Sequence, residues 1–264
     1  MKRTIVAAFG AALLLVACSG SPSETPEEPA DTTESADEAL EGEAPGGDVD
    51  TSDAVVFAAA SLNSVFPDIA EANYSFDGSS GLVDQMAGGA PADVFASADQ
   101  RNMDRAVEEG LVGGEPAMFA TNYLVVVVPA GNPAGVTGFD ESLDGTKLVI
   151  CAPDVPCGNA TAELAEEMDV ELSPVSEEGS VTDVLGKVTS GEADAGLVYL
   201  TDATSAGDAV EIIEIPGADA DPNTYWIAKV VDAQNPEVAD AYIAAILSDE
   251  GADTLASYGF GPAQ

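Results

Sequence analysis

Short apolar runs that alternate with segments of helical periodicity constrain the fold of this chain more than any other feature of its sequence. Residues 54–59, 92–96 and 123–128 have the apolar character of buried strands. After each of the first two, apolar residues recur at the spacing of one helix face. Strands that alternate with helices pack as a sheet of parallel strands covered by helices. The pattern predicts an α/β fold for residues 54–264, which suffice for one or two units with a real core.

The N-terminus has the pattern of an export signal. Lys2 and Arg3 precede an apolar run over 5–17, which is too short to span a bilayer and ends at Cys18. Residues 15–18, LVAC, resemble a bacterial lipobox. That resemblance implies cleavage before Cys18, acylation of this cysteine and a lipid anchor on the cell membrane, outside the cytoplasm. The alternative is an ordinary secretory signal with an incidental cysteine.

Residues 19–53 have the composition of a tether between that anchor and the folded part. They are rich in proline, aspartate and glutamate, contain no lysine or arginine, and have almost no large apolar residue. Such a segment cannot offset the entropy of ordering by burial, and its like charges keep it extended. The sequence therefore predicts a signal peptide over 1–18 and a disordered acidic tether over 19–53, with an acidic interaction tail as the alternative.

The chain carries a formal net charge of −41 and has no histidine. After the signal, its basic residues are Arg101, Arg105, Lys147, Lys187 and Lys229. Because neutralising phosphates requires Lys and Arg, this composition argues against a nucleic-acid partner. The absence of histidine removes Ser-His-Asp triads, His-containing zinc sites and the commonest general base. These absences do not exclude an enzyme, but the expectation is a protein that is not one.

A small or hydroxyl-bearing residue stands at each predicted junction between a strand and the next helix. These junctions contain Ser61, Ser79, Ser80, Ser97, Ala98, Cys157, Gly158, Gly179, Ser180 and Val181. A helix start exposes unpaired backbone N–H groups at the positive end of the helix dipole. In α/β sheets the carboxyl ends of the strands are where ligands bind. One serine before a helix is usually only an N-cap, but their number and common geometry predict an anion site.

Such a site would hold a dianion without a basic side chain, although the whole chain is negative. Hydrogen bonds to a charged group contribute about 1.5–3 kcal/mol each, and each helix dipole adds roughly 0.3–1 kcal/mol. Charges on surface carboxylates are screened beyond roughly 8–10 Å at physiological salt. Donors in contact with the anion therefore outweigh the distant surface charge.

Six segments of the sequence resemble the periplasmic molybdate-binding proteins of ABC importers. They are residues 56–62 (VFAAASL), 78–82 (GSSGL), 89–99 (GAPADVFASAD), 154–158 (DVPCG), 191–199 (GEADAGLVY) and 258–260 (YGF). The third is highly specific, and together they extend over nearly all of residues 54–264. The resemblance implies a type II periplasmic binding protein, in which two α/β lobes are joined by two crossovers and the ligand lies in the cleft between them.

The resemblance also implies boundaries and a ligand. Lobe one would comprise 54–123 and 225–264, and lobe two 124–224, with crossovers near Tyr123 and Thr224. The ligand would be molybdate or tungstate, with sulfate or phosphate as the alternative, and the partner an ABC permease. The implied binding residues are Ser61, Ser79, Ala98, Cys157, Val181 and Tyr199. A monomer without cofactor is expected. The alternatives from other classes of protein are an enzyme on this scaffold and a cell-surface adhesion module.

Cys151 and Cys157 remain as an even pair once Cys18 is lipidated. In an oxidising compartment such a pair can form a disulfide, and here it would stiffen the loop that presents the Cys157 N–H. Two buried free thiols and a soft-metal site are the alternatives, although two sulfurs without histidine are poor metal ligands. No metal site is expected apart from the oxyanion held by the binding residues.

Overall fold

The computed structural model describes residues 49–263, and within that range the chain forms eleven strands and eight α-helices. The strands are β1 (Val55–Ala59), β2 (Asn73–Asp77), β3 (Val94–Ser97), β4 (Val112–Asn122), β5 (Leu124–Pro129), β6 (Leu148–Cys151), β7 (Ser176–Glu178), β8 (Ala195–Tyr199), β9 (Val210–Ile213), β10 (Asn223–Val230) and β11 (Gly261–Pro262). The helices are α1 (Phe66–Ile69), α2 (Ser79–Ala87), α3 (Gln100–Glu108), α4 (Pro156–Glu167), α5 (Val181–Thr189), α6 (Leu200–Ala206), α7 (Pro236–Ile246) and α8 (Asp249–Ser257). Short 3-10 helices lie at Ala60–Leu62, Glu141–Leu143 and Gly207–Ala209.

The strands form two sheets of mixed direction. The first has the order β11-β4-β10-β3-β1-β2, and the second has the order β7-β6-β8-β5-β9. In the first, β1 runs parallel to β2 and β3, and in the second, β6 runs parallel to β7 and β8. The strands next to the crossovers, β4, β5 and β10, pair antiparallel. The predicted α/β class is confirmed, and the parallel pairing holds for three strands of each sheet.

The chain passes between the sheets twice, so each sheet forms the centre of one lobe. The first passage is Tyr123, between β4 and β5, where the sequence predicted a crossover. The second is 214–222, before the predicted position at Thr224 and Tyr225. Thr224 already belongs to β10 because it pairs with Thr121 of β4. The boundary predicted at residue 225 is therefore wrong by a few residues.

The folded part also begins before residue 54. Thr51 donates its hydroxyl to Glu71 O at 2.8 Å, and Asn73 Nδ2 donates to Ser52 O at 2.9 Å. Thr51 and Ser52 thus contact lobe one, which corrects the predicted end of the tether. The predicted signal peptide over 1–18, Cys18 and residues 19–48 of the tether lie outside the described residues. Among residues 49–263, no helix is both long enough and apolar enough to cross a membrane.

Burial of β5 explains its uninterrupted apolar sequence. Leu124, Val125, Val126, Val127 and Val128 are each at most 1% exposed, as expected for a central strand covered on both faces. A second apolar cluster in lobe one includes Phe57, Leu82, Phe95 and Met103. These residues pack α2 and α3 against the first sheet.

Candidate ligand-binding site

A small cavity lies where the two lobes meet. It is lined by Ala59, Ala60, Ser61, Asp77, Gly78, Ser79, Ala98, Val155, Pro156, Cys157, Val181 and Tyr199. All six residues that the resemblance implied are among them. Three belong to lobe one, and Cys157, Val181 and Tyr199 belong to lobe two. Among the described residues, no lysine or arginine lines the cavity.

Two of the helices that start at this cavity have no side-chain cap. The N-cap residues of α2 and α4 are Gly78 and Val155, neither of which makes a side-chain capping bond. By contrast, α3 is capped by Asp99, whose carboxylate accepts from Asn102 N. Helix α5 also has its own cap, Ser180. Because first-turn N–H groups need an acceptor, the uncapped starts of α2 and α4 are suited to an anion in the cavity.

The Ser79 hydroxyl is oriented by the next junction of lobe one. Ala98 N–H donates to Ser79 Oγ at 3.1 Å, and both residues are buried. This differs from the expectation that Ala98 contacts the ligand itself, because its N–H is already directed at the serine. Ser79 Oγ thereby receives one hydrogen bond and retains its own proton to donate.

The Ser61 hydroxyl has a buried partner outside the cavity lining. Ser61 Oγ lies 2.9 Å from the Tyr225 hydroxyl. Burial raises the pKa of Tyr225 far above its usual range, and Asp202 adds to the rise, while Ser61 and Asn122 act against it. Tyr225 therefore stays protonated at every physiological pH. Tyr225 is a buried neighbour of the site that sequence reasoning did not find.

Tyr199 ends β8 with its hydroxyl unsatisfied. The side chain is 1% exposed and its hydroxyl has no hydrogen-bond partner among the described residues. Burial raises the pKa of Tyr199 well above its usual value, with smaller contributions from Tyr225, Asp99 and Asp202. The group is therefore a neutral donor. A buried hydroxyl without a partner costs about 1–3 kcal/mol, and a ligand oxygen in the cavity would remove that cost.

Asp77 is the acidic residue of the cavity lining, and its carboxylate is already engaged. Oδ1 accepts from Gly78 N at 2.8 Å, and Oδ2 accepts from Gln85 Nε2 at 3.0 Å. Both oxygens thus have donors of their own. The side chains that remain available at the cavity, Ser61, Ser79 and Tyr199, are hydroxyls that can donate.

A disulfide links Cys151 at the end of β6 to Cys157 in the first turn of α4, with 5.7 Å between their Cα atoms. The loop it closes is tightly packed, since a Cβ on Gly158 would lie 1.9 Å from Ala152 O. The disulfide and this glycine hold the start of α4 against β6. They fix the position of the Cys157 N–H at the cavity.

The lobes contact each other around the cavity. A Cβ on Gly78 would lie 2.1 Å from Gly179 O of lobe two. Arg101 Nη1, on lobe one, donates to Asn159 Oδ1 at 3.0 Å and to Pro153 O at 3.3 Å. These contacts close the cleft over the cavity.

Asp202, one turn after Tyr199, is a buried carboxyl that the sequence did not point to. It is 7% exposed and its Oδ2 has no partner among the described residues. Burial raises its pKa to about 7, although the N–H groups of Tyr199 and of Asp202 itself act in the opposite direction. Folding therefore keeps this group neutral at pH values where the unfolded chain ionises it.

We expect Asp202→Asn to stabilise the protein more at pH 7.5 than at pH 4. The folded pKa is above the unfolded value of 3.8, so ionisation of the unfolded chain lowers wild-type stability by about 1.4 kcal/mol per pH unit between about 4 and 7. The amide does not ionise and escapes this loss. Urea unfolding at both pH values measures the difference, and an equal gain at both would contradict the assignment.

Two lobes that close over a small cavity lined by hydrogen-bond donors define a two-lobed ligand-binding protein. Residues 54–261 match the family of bacterial extracellular solute-binding proteins. The molybdate-binding protein ModA of Mycobacterium tuberculosis is 44% identical over 217 residues, which cover 78% of this chain and 83% of that protein. ModA of Escherichia coli is 31% identical over 225 residues, covering 78% and 87%.

The chain also shares its fold with a solved structure. The periplasmic molybdate-binding protein of Azotobacter vinelandii superposes with a TM-score of 0.70 at 19% identity, covering 80% of this chain and 100% of that one. The chain belongs to the bacterial extracellular solute-binding proteins, and within them to the molybdate-binding proteins of ABC importers. The resemblance and the fold class predicted from the sequence are confirmed. The relatives are solute-binding proteins and not enzymes, and the family functions outside the cytoplasm.

Proposed function

We propose that this chain captures molybdate or tungstate as a tetrahedral dianion and delivers it to an ABC permease. The observation that carries the proposal is the convergence of Ser61, Ser79, Cys157, Val181 and Tyr199 from both lobes on one cavity. The serine and tyrosine hydroxyls would donate to the oxyanion, and the N–H groups at the starts of α2, α4 and α5 would complete its shell. Ala98 would act through Ser79.

The absence of basic side chains from the cavity favours a small oxyanion that is fully deprotonated. Every oxygen of such an anion accepts hydrogen bonds, so each donor of the site is satisfied. A protonated anion would direct a hydrogen at another donor, and a buried polar group without a partner is costly. No cofactor is needed, because binding uses only groups of the chain itself.

Calorimetric titration of the purified protein, freed of bound anion, tests the proposal. We expect molybdate and tungstate to bind tightly with one site per chain, and phosphate to give no heat. Tight binding of sulfate alone would retain an oxyanion importer and reject the metal oxyanion. The proposal is overturned if none of molybdate, tungstate, sulfate and phosphate binds.

We also propose that Cys18 carries the lipid anchor and that residues 19–48 tether a monomeric binding domain to it. The export-signal pattern before Cys18 and the acidic, proline-rich composition after it support this. The mass of the N-terminal peptide from membrane-extracted protein tests it. A peptide that begins elsewhere, or an unmodified Cys18, would contradict it.

A further inference from the structure

Tyr225 lies directly behind the cavity and contacts one of its hydroxyls. Its side chain is fully buried and is not part of the cavity lining. Its hydroxyl lies 2.9 Å from Ser61 Oγ, which does line the cavity. A hydrogen-bonding effect of this hydroxyl on a ligand would therefore pass through Ser61.

The surroundings of Tyr225 determine which hydroxyl donates. Within residues 49–263, the one hydrogen-bond partner of the Tyr225 hydroxyl is Ser61 Oγ. A buried phenol that stays protonated needs an acceptor for its proton, and this serine oxygen is the acceptor within reach. The neutral phenol then directs its proton at Ser61 Oγ, and the serine proton is left for the cavity.

The ring of Tyr225 is held in one place, so this hydrogen bond has a fixed direction. Its centroid lies 5.4 Å from that of Phe260, 5.9 Å from that of Tyr199 and 6.0 Å from that of Phe119, each in an edge-to-face arrangement. Such packing fixes a ring without using its hydroxyl. A phenylalanine at 225 would keep all three contacts and lose only the hydrogen bond to Ser61.

We propose that Tyr225 is a positioning residue that sets anion specificity by keeping the Ser61 hydroxyl a donor to the ligand. The inference rests on the proposed function, since it assumes that an oxyanion occupies the cavity. Ser79 has the same arrangement, with Ala98 N–H in the place of the phenol. With both serines held this way, their own protons are directed at the cavity, and the site favours anions that carry no proton.

A double-mutant cycle of Tyr225→Phe and Ser61→Ala tests the inference, with molybdate and phosphate titrated at about pH 8, where phosphate retains a proton. We expect Tyr225→Phe to weaken molybdate binding about 3- to 10-fold, the range for one neutral hydrogen bond. It should strengthen phosphate binding, because the freed serine can then accept. In the Ser61→Ala background, Tyr225→Phe should change neither affinity further.

Tyr242→Phe is the matched control, because its buried hydroxyl bonds to Tyr74 at 3.1 Å in the same lobe and away from the cavity. It should lower stability and leave both affinities unchanged. The inference is overturned if Tyr225→Phe still weakens molybdate binding in the Ser61→Ala background. It is also overturned if Tyr225→Phe leaves the ratio of molybdate to phosphate affinity unchanged. If the wild type binds sulfate instead of molybdate, the same cycle is measured with sulfate. The inference about Tyr225 is then tested separately from the identity of the anion. A wild type that binds no oxyanion overturns both proposals.

Discussion

Gly78→Ala is expected to abolish tight ligand binding while leaving the fold intact. Gly78 has φ −60° and ψ 139°, a conformation that alanine adopts without strain. Its new Cβ, however, would lie 2.1 Å from Gly179 O across the cleft, where ordinary contact begins at 3.4 Å. The lobes must separate by roughly 1 Å at this point, and hydrogen bonds from lobe two then exceed their normal length.

The loss should be large because the ligand is charged. Losing two hydrogen bonds to a charged group costs about 3–6 kcal/mol, so we expect molybdate affinity to fall at least about 100-fold. Calorimetry measures the affinity, and the melting temperature without ligand should change little, since the methyl group lies between the lobes. Binding at wild-type strength would show that closure at this contact is not needed.

Gly81→Ala is the matched control in the same helix. A Cβ on Gly81 would lie 3.5 Å from Asp77 Oδ2 of the same lobe, an ordinary contact. Alanine is favoured over glycine within a helix by about 1 kcal/mol. The variant should therefore be as stable as wild type or more so, with unchanged affinity, which separates closure from any general effect on α2.

Tyr199→Phe should weaken binding and stabilise the ligand-free protein at the same time. Loss of a neutral donor to a charged ligand costs about 1.5–3 kcal/mol, so molybdate affinity should fall about 10- to 100-fold. Without ligand, the Tyr199 hydroxyl is buried with no partner among the described residues. Its removal relieves a desolvation cost of about 1–3 kcal/mol.

The opposite signs of these two changes make the Tyr199 variant diagnostic. Calorimetry gives the affinity, and urea unfolding without ligand gives the stability. Tyr242→Phe removes a hydroxyl that is hydrogen-bonded. It should lower the stability and leave the affinity unchanged. A Tyr199→Phe protein that is less stable than wild type and binds equally well would place this hydroxyl outside the ligand shell.

A chain with a net charge of −41 can hold a dianion because the cavity separates local donors from distant charge. The only acidic residue of the lining, Asp77, has both carboxylate oxygens engaged by Gly78 and Gln85. The exposed carboxylates outside the lining are weakened by solvent and salt, and burial raises the pKa of the Asp202 carboxyl behind the site to about 7. The hydrogen-bond donors at the cavity thus outweigh the negative charge of the whole molecule.

Local patterns allowed much of the fold and of the site to be predicted. Strands β1, β3 and β5 and the helix starts at Ser79 and Val181 lie within a residue or two of their predicted positions. The missed elements have weak local signals. Strand β4 contains Gly113, Gly114 and Pro116, which are poor strand formers, and its pairing with β10 holds it in the sheet. Strands β7, β9 and β11 and helices α6 and α8 were likewise not predicted.

The sequence by itself determined the α/β class, the junction residues and, through the family segments, the six residues expected at one site. These depend on periodicity and on neighbours along the chain, which a sequence displays directly. Only the tertiary structure decided that Tyr225, 164 residues from Ser61, contacts its hydroxyl, and that Ala98 N–H donates to Ser79. It also decided that Asp202 is buried with no partner for Oδ2 among residues 49–263. Contacts of this kind form when separate strands and lobes pack together, and no spacing within one segment encodes them.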